Sequence, residues 1–259
     1  MIYFNYLAMH LKAALQYRFS VWLTALGQFF VAFFGFISIW LLFERFGSIA
    51  DWTFAEVGLC FGVTNIAFSL SECFARGFDS FSGMVIRGDF DRLLLRPRST
   101  LIQVLGAGIE FTRIGKLVQG FIVLALLIPW SGIVWTPGKI VTLTGMIAGG
   151  AAVFTGVFIL GATVCFFTLE GLEVINILTD GGREFASYPL PVYGKWVRRF
   201  FTFLIPYGCM NYLPLMYLTG RAERFPLLYM LSPLLGFFFI VPCVLVWRRG
   251  VRHYASTGS

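Results

Sequence analysis

Two acidic clusters are the residues in this chain whose types and spacing are fit for chemistry. Asp89-x-Asp91 sets two carboxylates two positions apart, a spacing that can hold a divalent cation. Arg87 and Arg92 flank the pair, however, and solvated salt bridges are the simpler use of those charges. Glu170, Glu173, Asp180, Arg183 and Glu184 form the second cluster. Carboxylates inside a membrane mark ion or proton paths. Asp180 and Arg183, three positions apart, would instead neutralise each other on one helix face. Nucleotide chemistry is missing. Gly115-Lys116, Gly138-Lys139 and Gly194-Lys195 lack the upstream glycine spacing and the following Ser or Thr of a phosphate-binding loop. No nucleophile elbow and no His-Glu-x-x-His occurs. Cys60, Cys73, Cys165, Cys209 and Cys243 form no Cys-x-x-Cys and read as small buried hydrophobes. His10 and His253 stand at opposite ends and suit an interfacial setting. No metal or cofactor is expected in this chain.

The elements that would position these groups belong to a membrane. Phe19 to Phe43 is a run of 25 residues without a charge, and about 20 apolar residues cross a bilayer as a helix. A helix apolar on every side needs lipid or a very large core around it. Composition agrees: 58% hydrophobic, 30 Phe and 13% charged, against about 25% charged in soluble domains. The run is too long for a signal-peptide core and no small-x-small cleavage site follows it, so it reads as a retained first span. The net charge of +7 is explained by the cytoplasmic Lys/Arg excess of membrane proteins, and nucleic acid is not an expected partner.

Residues 1–18 read as an amphipathic helix in the interface. Asn5, Lys12 and Gln16 fall within roughly 40° of one another at about 100° per residue. Spans are predicted at about 19–43, 53–74, 109–130, 139–169 and 227–247. Trp130-Ser131-Gly132 to Trp135-Thr136-Pro137-Gly138 is a tight turn with interfacial tryptophans. The stretch 76–99 is too polar for the membrane and too short for a domain. Residues 170–226 admit two readings. Either 170–199 is a cytoplasmic loop and 200–218 a fifth span, or 170–190 is a polar, protein-shielded fifth span and 191–218 a re-entrant hairpin broken by Pro206, Gly208 and Pro214. The loop reading leaves only Arg45, Lys139, Arg221 and Arg224 outside. The hairpin reading also moves Lys195, Arg198 and Arg199 outside. Both readings put the two termini in the cytoplasm. In span 4, Ala148, Ala152 and Gly156 recur at four-residue spacing, with Gly145 and Gly149 on an adjoining track, a pattern for close helix packing inside the chain or against a second chain.

Two stretches carry a family resemblance. Gly88-Asp89-Phe90-Asp91-Arg92-Leu93-Leu94-Leu95-Arg96-Pro97-Arg98-Ser99 resembles the Gly-acidic-apolar-Asp-x-Leu-Leu-x-Arg-Pro motif of one branch of ABC-2-type transporter permeases. Tyr188-Pro189-Leu190-Pro191, Trp196, Ile205-Pro206 and Asn211-Tyr212-Leu213-Pro214 resemble that family's segment before its last span. The resemblance implies an all-α polytopic membrane protein with six transmembrane helices. It adds an N-terminal interfacial helix, a cytoplasmic coupling helix in 76–99 and a re-entrant outer hairpin over 191–218 that includes Pro206, Gly208, Asn211 and Pro214. It implies an exporter subunit in the bacterial cytoplasmic membrane, paired with a second copy or a similar permease. Two cytoplasmic ATPase subunits would bind the ATP and Mg. Arg87, Asp89, Phe90, Asp91, Arg92, Leu93, Leu94 and Arg96 would then face the ATPase. The residues fit such a contact on physical grounds too, since leucines beside mixed charge suit an interface with an apolar centre and charged rim. The alternative is an ion-coupled secondary transporter using the carboxylates of 170–184, although that class shows internal repeats and this chain shows none.

Overall fold

The computed structural model describes residues 2–168, 172–222 and 224–254, and among them every regular element is helical. Helix α1 (Ile2–Gln16) breaks at Tyr17 and leads into α2 (Arg18–Phe46). Then come α3 (Phe54–Asp79), α4 (Phe81–Ile86), α5 (Asp89–Leu94), α6 (Thr100–Ala107), α7 (Ile114–Trp130) and α8 (Pro137–Val164). Helix α9 (Leu172–Ala186) is followed by short pieces: α10 (Lys195–Arg199), a π turn Phe200–Leu204, α11 (Tyr207–Met210) and α12 (Tyr212–Leu218). The chain ends with α13 (Pro226–Leu231), a 3-10 turn and α14 (Leu235–His253). Among the described residues, five segments are long and apolar enough to cross a membrane: Arg18–Phe46, Phe54–Ile86, Phe111–Trp130, Pro137–Val164 and Pro226–His253.

Helix α3 is the hub. A Thr53–Glu56 capping box starts it, satisfying two of its first amide groups, and nearly all of its length is buried. It lies antiparallel to α7: Gly58 and Gly62 approach Leu127 and Leu124, while Gly120 approaches Ile66. It runs parallel to α8: Ala67 meets Gly150 and, further along both helices, Ser71 lies 3.3 Å from Thr155, with Phe68 edge-on to Phe154 at 5.0 Å between them. Helix α2 contrasts with it. Only Ala25, Ala32, Ile39 and Phe43 are buried, a stripe near heptad spacing that seats one narrow seam. Trp22, Phe30, Phe34 and Trp40 face outward.

Helices α8 and α14 run parallel, and this dictates the path between them. Gly149 meets Gly236, Gly156 meets Cys243, and Thr163 meets Gly250, a constant register along both helices. A Cβ on Gly149 would lie 2.2 Å from the Pro233 carbonyl oxygen, and one on Gly236 2.2 Å from that of Gly149. Only glycine permits this backbone approach. Of the predicted packing track, Gly156 faces Phe239 and Cys243 of α14 and Ala152 is buried, whereas Ala148 is exposed. The closest approach falls instead on the adjoining Gly149.

Parallel neighbours require the chain to recross the bundle once between 165 and 234. Helix α9 makes that crossing. Tyr188, Val192 and Tyr193 already share a cavity with Leu42, Phe46 and Ile49 at the end of the bundle that holds the α2–α3 connection. The following segment turns back inward. Tyr207 donates to the Leu178 carbonyl of α9 at 2.8 Å, and Met210 reaches Gly150 in α8. It then returns to the same end, where Arg221 bonds Glu56 at 2.9 Å. At 15 residues α9 is about 22 Å long, short of the usual bilayer-crossing length.

Candidate functional site: the charged end of the bundle

The end opposite the α2–α3 connection gathers 76–113, the N-terminal part of α9 and the last turn of α14. Phe90 in α5 is the root of this region. It is fully buried, with Phe81 at 5.0 Å, Phe166 at 5.4 Å and Tyr254 at 5.1 Å between ring centroids. Trp247, 1% exposed, packs on Phe78, Phe81 and Phe166. Edge-to-face rings of this kind prefer one relative orientation, so α5 is held in a fixed pose against α14. Burial, with the Asp91 carboxylate beside it, pushes the Tyr254 phenol above its ordinary range.

The C-terminal end of α5 and the residues that follow it are open. Leu94 is 40% and Leu95 86% exposed, and Arg92 and Arg96 are exposed beside them. Arg87 and Asp89 pair with each other at 3.0 Å, which is the solvated-bridge use of that acidic pair. Among the described residues no group of carboxylates, histidines and cysteines is arranged to hold a metal. Phe90 therefore differs in placement from its sequence neighbours. It cannot touch a partner, because it is sealed inside the chain, and it anchors the segment whose outer face is Arg92, Leu94, Leu95 and Arg96.

Just inside this end lies an ion network that hydropathy conceals. Glu72 of α3, with a side chain 3% exposed, receives Lys116 at 2.9 Å, Arg76 at 3.0 Å and Arg113 at 3.3 Å. Arg113 also holds Glu110 at 2.9 Å, and Arg76 holds Asp79 at 3.1 Å. Lys116 stands 5.6 Å over the Phe68 ring, and Arg183 of α9 stands 5.4 Å from the same ring centroid. One carboxylate thus ties α3 to α7 directly, and the ring between two cations brings in α9. Arg183 pairs with Glu184 rather than with Asp180, which is exposed. The expected Asp180–Arg183 pair is therefore replaced by a neighbouring one. Glu170 lies outside the described residues, as does the Glu173 side chain.

At the far end the broken segment is fastened by polar contacts. Asn211 donates through its side-chain amide to Thr64 Oγ1 at 2.8 Å, to the Cys60 carbonyl at 3.2 Å and to the Ala186 carbonyl. Thr64 also donates to Ala186 at 3.0 Å. These bonds satisfy a carbonyl freed where α9 ends, which the apolar surroundings would otherwise leave costly. Pro206 separates the π turn from α11, Gly208 fits beneath Leu190 and Thr202, and Pro214 lies in α12. Arg221 bonds both Glu56 oxygens and the Asp51 carbonyl, and lies 4.2 Å over the Trp52 ring.

Glu72, Trp247, Phe166 and Arg221 carry this architecture without standing out in the sequence. Glu72 had one local signal, an Arg four residues on at Arg76. The others pair with residues far along the chain and have none.

Apolar helices of crossing length around a buried, ion-paired hub define a multi-pass helical membrane protein. The family profile described as ABC-2 family transporter protein matches residues 29–258. The chain belongs to the ABC-2 transporter family, whose members are transmembrane permease components that work with ABC ATPase subunits. No curated protein and no solved structure matches it.

Proposed function

We propose that this chain is the permease subunit of an ATP-driven exporter in a bacterial cytoplasmic membrane. It forms the pathway as a dimer with a second copy or a similar permease. Two separate cytoplasmic ATPase subunits, which bind the ATP and Mg, drive it. Both termini lie in the cytoplasm. The observation that carries this reading is α5: one face rooted through Phe90 in the last membrane helix, the other offering arginines and leucines to a partner. Motion imposed on such an element must pass to the end of α14. The purified chain is expected to hydrolyse no ATP alone and to support hydrolysis when assembled with a cytoplasmic ATPase. Hydrolysis or proton-driven transport by the lone chain would refute it. The ion-coupled alternative rests on the carboxylates of 170–184, of which Asp180 and Glu184 are exposed and Glu184 is engaged by Arg183.

In this reading α9 is a sixth, short transmembrane helix, protein-shielded on one side, and residues 191–218 form a re-entrant hairpin closing the outer end. Its geometry supports the role: it starts and finishes at the end of the bundle carrying 47–53 and dips toward Leu178 between. Irregular backbone at that depth requires the protein cover that Asn211 and Thr64 supply. A single cysteine replacing Lys195, in a chain with its native cysteines removed, should react with an impermeant thiol reagent added outside intact cells. Reaction only after the membrane is opened would discard the hairpin and its gating role.

A further inference from the structure

Between α2, α3 and the end of α9 lies a polar cavity of 220 Å³. The hydrogen-bonding side chains on its walls are Ser38, Asn65, Arg183, Glu184, Ser187 and Tyr188. Gly35 and Ser38 of α2 and Glu184 of α9 are exposed, so the cavity opens sideways between these two helices. Asp180 and Glu184, one turn apart, are exposed on the same side of α9. Carboxylates on a spanning helix face a water-filled space or a protein contact rather than lipid, and the cavity opens on that side. A second cavity of 560 Å³ shares Tyr188 with it and is mostly apolar, with Phe46, Ile49 and Val192 among its walls.

We propose that the polar cavity takes the uncharged, hydroxyl-rich headgroup of an amphiphilic substrate, whose apolar part lies in the second cavity. The proposal rests on the exporter reading with α9 as a membrane span, and it names the substrate class for that pathway. Asn65 is the sign of a ligand. It is 4% exposed, and its side-chain amide donates to Gln119 Oε1 at 2.7 Å. Its Oδ1 accepts no hydrogen bond among the described residues. Gln119 Nε2 is sealed in without a partner, whereas Asn65 Oδ1 keeps open surface, and the space that Asn65 lines is this cavity. An acceptor held in that state inside a bundle is costly until a donor arrives.

The neighbouring groups ask for donors as well. Ser38 gives its proton to the Phe34 carbonyl at 3.0 Å, and Ser187 gives its own to the Arg183 carbonyl at 2.9 Å. Both hydroxyl oxygens are left to accept. Glu184 adds a carboxylate that is closed on Arg183, and Arg183 is held from its other side by the Phe68 ring, 5.4 Å to the centroid. This pair makes the cavity neutral overall. A cationic headgroup would meet Arg183, an anionic one would meet Glu184, and a zwitterion would have to open the pair. Hydroxyl groups satisfy the waiting acceptors without facing a like charge. The 220 Å³ volume falls below the about 300–1,000 Å³ of sites that enclose a whole small ligand. It suits a headgroup alone, with the rest of the molecule continuing past Tyr188.

The test is saturable binding to the full chain in nanodiscs of three probes that share one fluorescent alkyl tail. Their headgroups are glucosyl, trimethylammonium and sulfate. The glucosyl probe should bind several-fold more tightly than the other two. Asn65→Leu should weaken it about tenfold, because one donor of the ligand goes unpaired. Gln119→Leu breaks the same Asn65–Gln119 bond but leaves the cavity oxygen, and should keep most of the binding. Gly35→Leu fills the cavity beside the Phe61 ring without altering its polar groups, and should abolish the saturable component. Arg183→Gln leaves Glu184 without its partner and should turn the preference toward the trimethylammonium probe. Where Asn65→Leu fails to fold, the last two variants still decide. Equal binding of the three probes, full binding by Gly35→Leu, or an unchanged preference in Arg183→Gln would overturn the proposal. So would displacement by free glucose as effective as that by octyl glucoside, since the ligand would then be a soluble sugar. Binding is read without ATP or an ATPase, so its failure is distinct from failure of the exporter reading, which ATPase assembly and the Lys195 labelling test.

Discussion

Glu72→Ala should be the most damaging single substitution in the bundle. The side chain is 3% exposed and neutralises Lys116, Arg76 and Arg113 together. Arg76 and Arg113 keep other carboxylates, Asp79 and Glu110. Lys116 has no other carboxylate within ion-pair distance among the described residues, and is itself 8% exposed. Removing one partner of a buried ion pair costs about 3–5 kcal/mol, because the other charge is left uncompensated. The expected result is a large drop in the unfolding temperature of the detergent-solubilised chain, or loss of the monodisperse species in size-exclusion chromatography. Lys116→Met in the same chain should recover much of the loss, since replacing both charges by apolar atoms removes the penalty. Little effect of Glu72→Ala, or no recovery by the second change, would show that the network does not hold α3 to α7.

The same residue shows what the sequence makes legible and what it hides. Helices α2, α8 and α14 follow from apolar length alone; the predicted bounds of α2 and α8 lie within about five residues of the observed ones, whereas α14 starts and ends several residues later than its predicted span, after the break at Ser232–Leu234. A single Glu in an apolar run leaves that prediction intact while saying nothing of its partner, here Lys116, 44 residues away. Helix α9 is the harder case. It is 15 residues long with Asp180, Arg183 and Glu184 among them, so no hydropathy window marks it. The recrossing it performs follows from the parallel register of α8 and α14, and that register lies in glycine contacts such as Gly149 with Gly236. Small-residue spacing does signal close packing, but not which helix approaches. Ala148 shares the predicted track and is exposed in the single chain, whereas Gly156 meets α14 within it. Phe90 fails in the opposite sense. Its motif neighbours suggest an outward apolar anchor, yet Phe81, Phe166 and Trp247 enclose it, two of them far along the chain.

Splitting α5 into its two faces separates docking from positioning. Leu95→Asp changes a side chain that is 86% exposed, so it should leave the unfolding temperature of the isolated chain unchanged within error. Leu94→Asp and paired Arg92→Glu with Arg96→Glu alter the same outer face and should behave alike. If that face receives the ATPase, each should lower recovery of the assembled complex at least tenfold, because a charge buried at the apolar centre of an interface goes unpaired. Phe90→Ala acts from the other side. It leaves the outer face in place but empties a fully buried ring site, a change that costs about 3–5 kcal/mol in well-packed cores. Some of that cost is local, since α5 is a six-residue helix whose pose depends on the ring cluster. The isolated Phe90→Ala chain should therefore unfold earlier. Where it still assembles, ATP hydrolysis should continue while transport per ATP falls, because the link from α5 to Trp247 and α14 has slackened. Phe90→Leu, which refills most of the volume, should restore transport more than it restores any contact with the ATPase. Complex recovery unchanged by the outer-face substitutions would remove α5 from the docking surface. Full coupling in a folded Phe90→Ala complex would show that the aromatic cluster holds the segment in place without transmitting its motion.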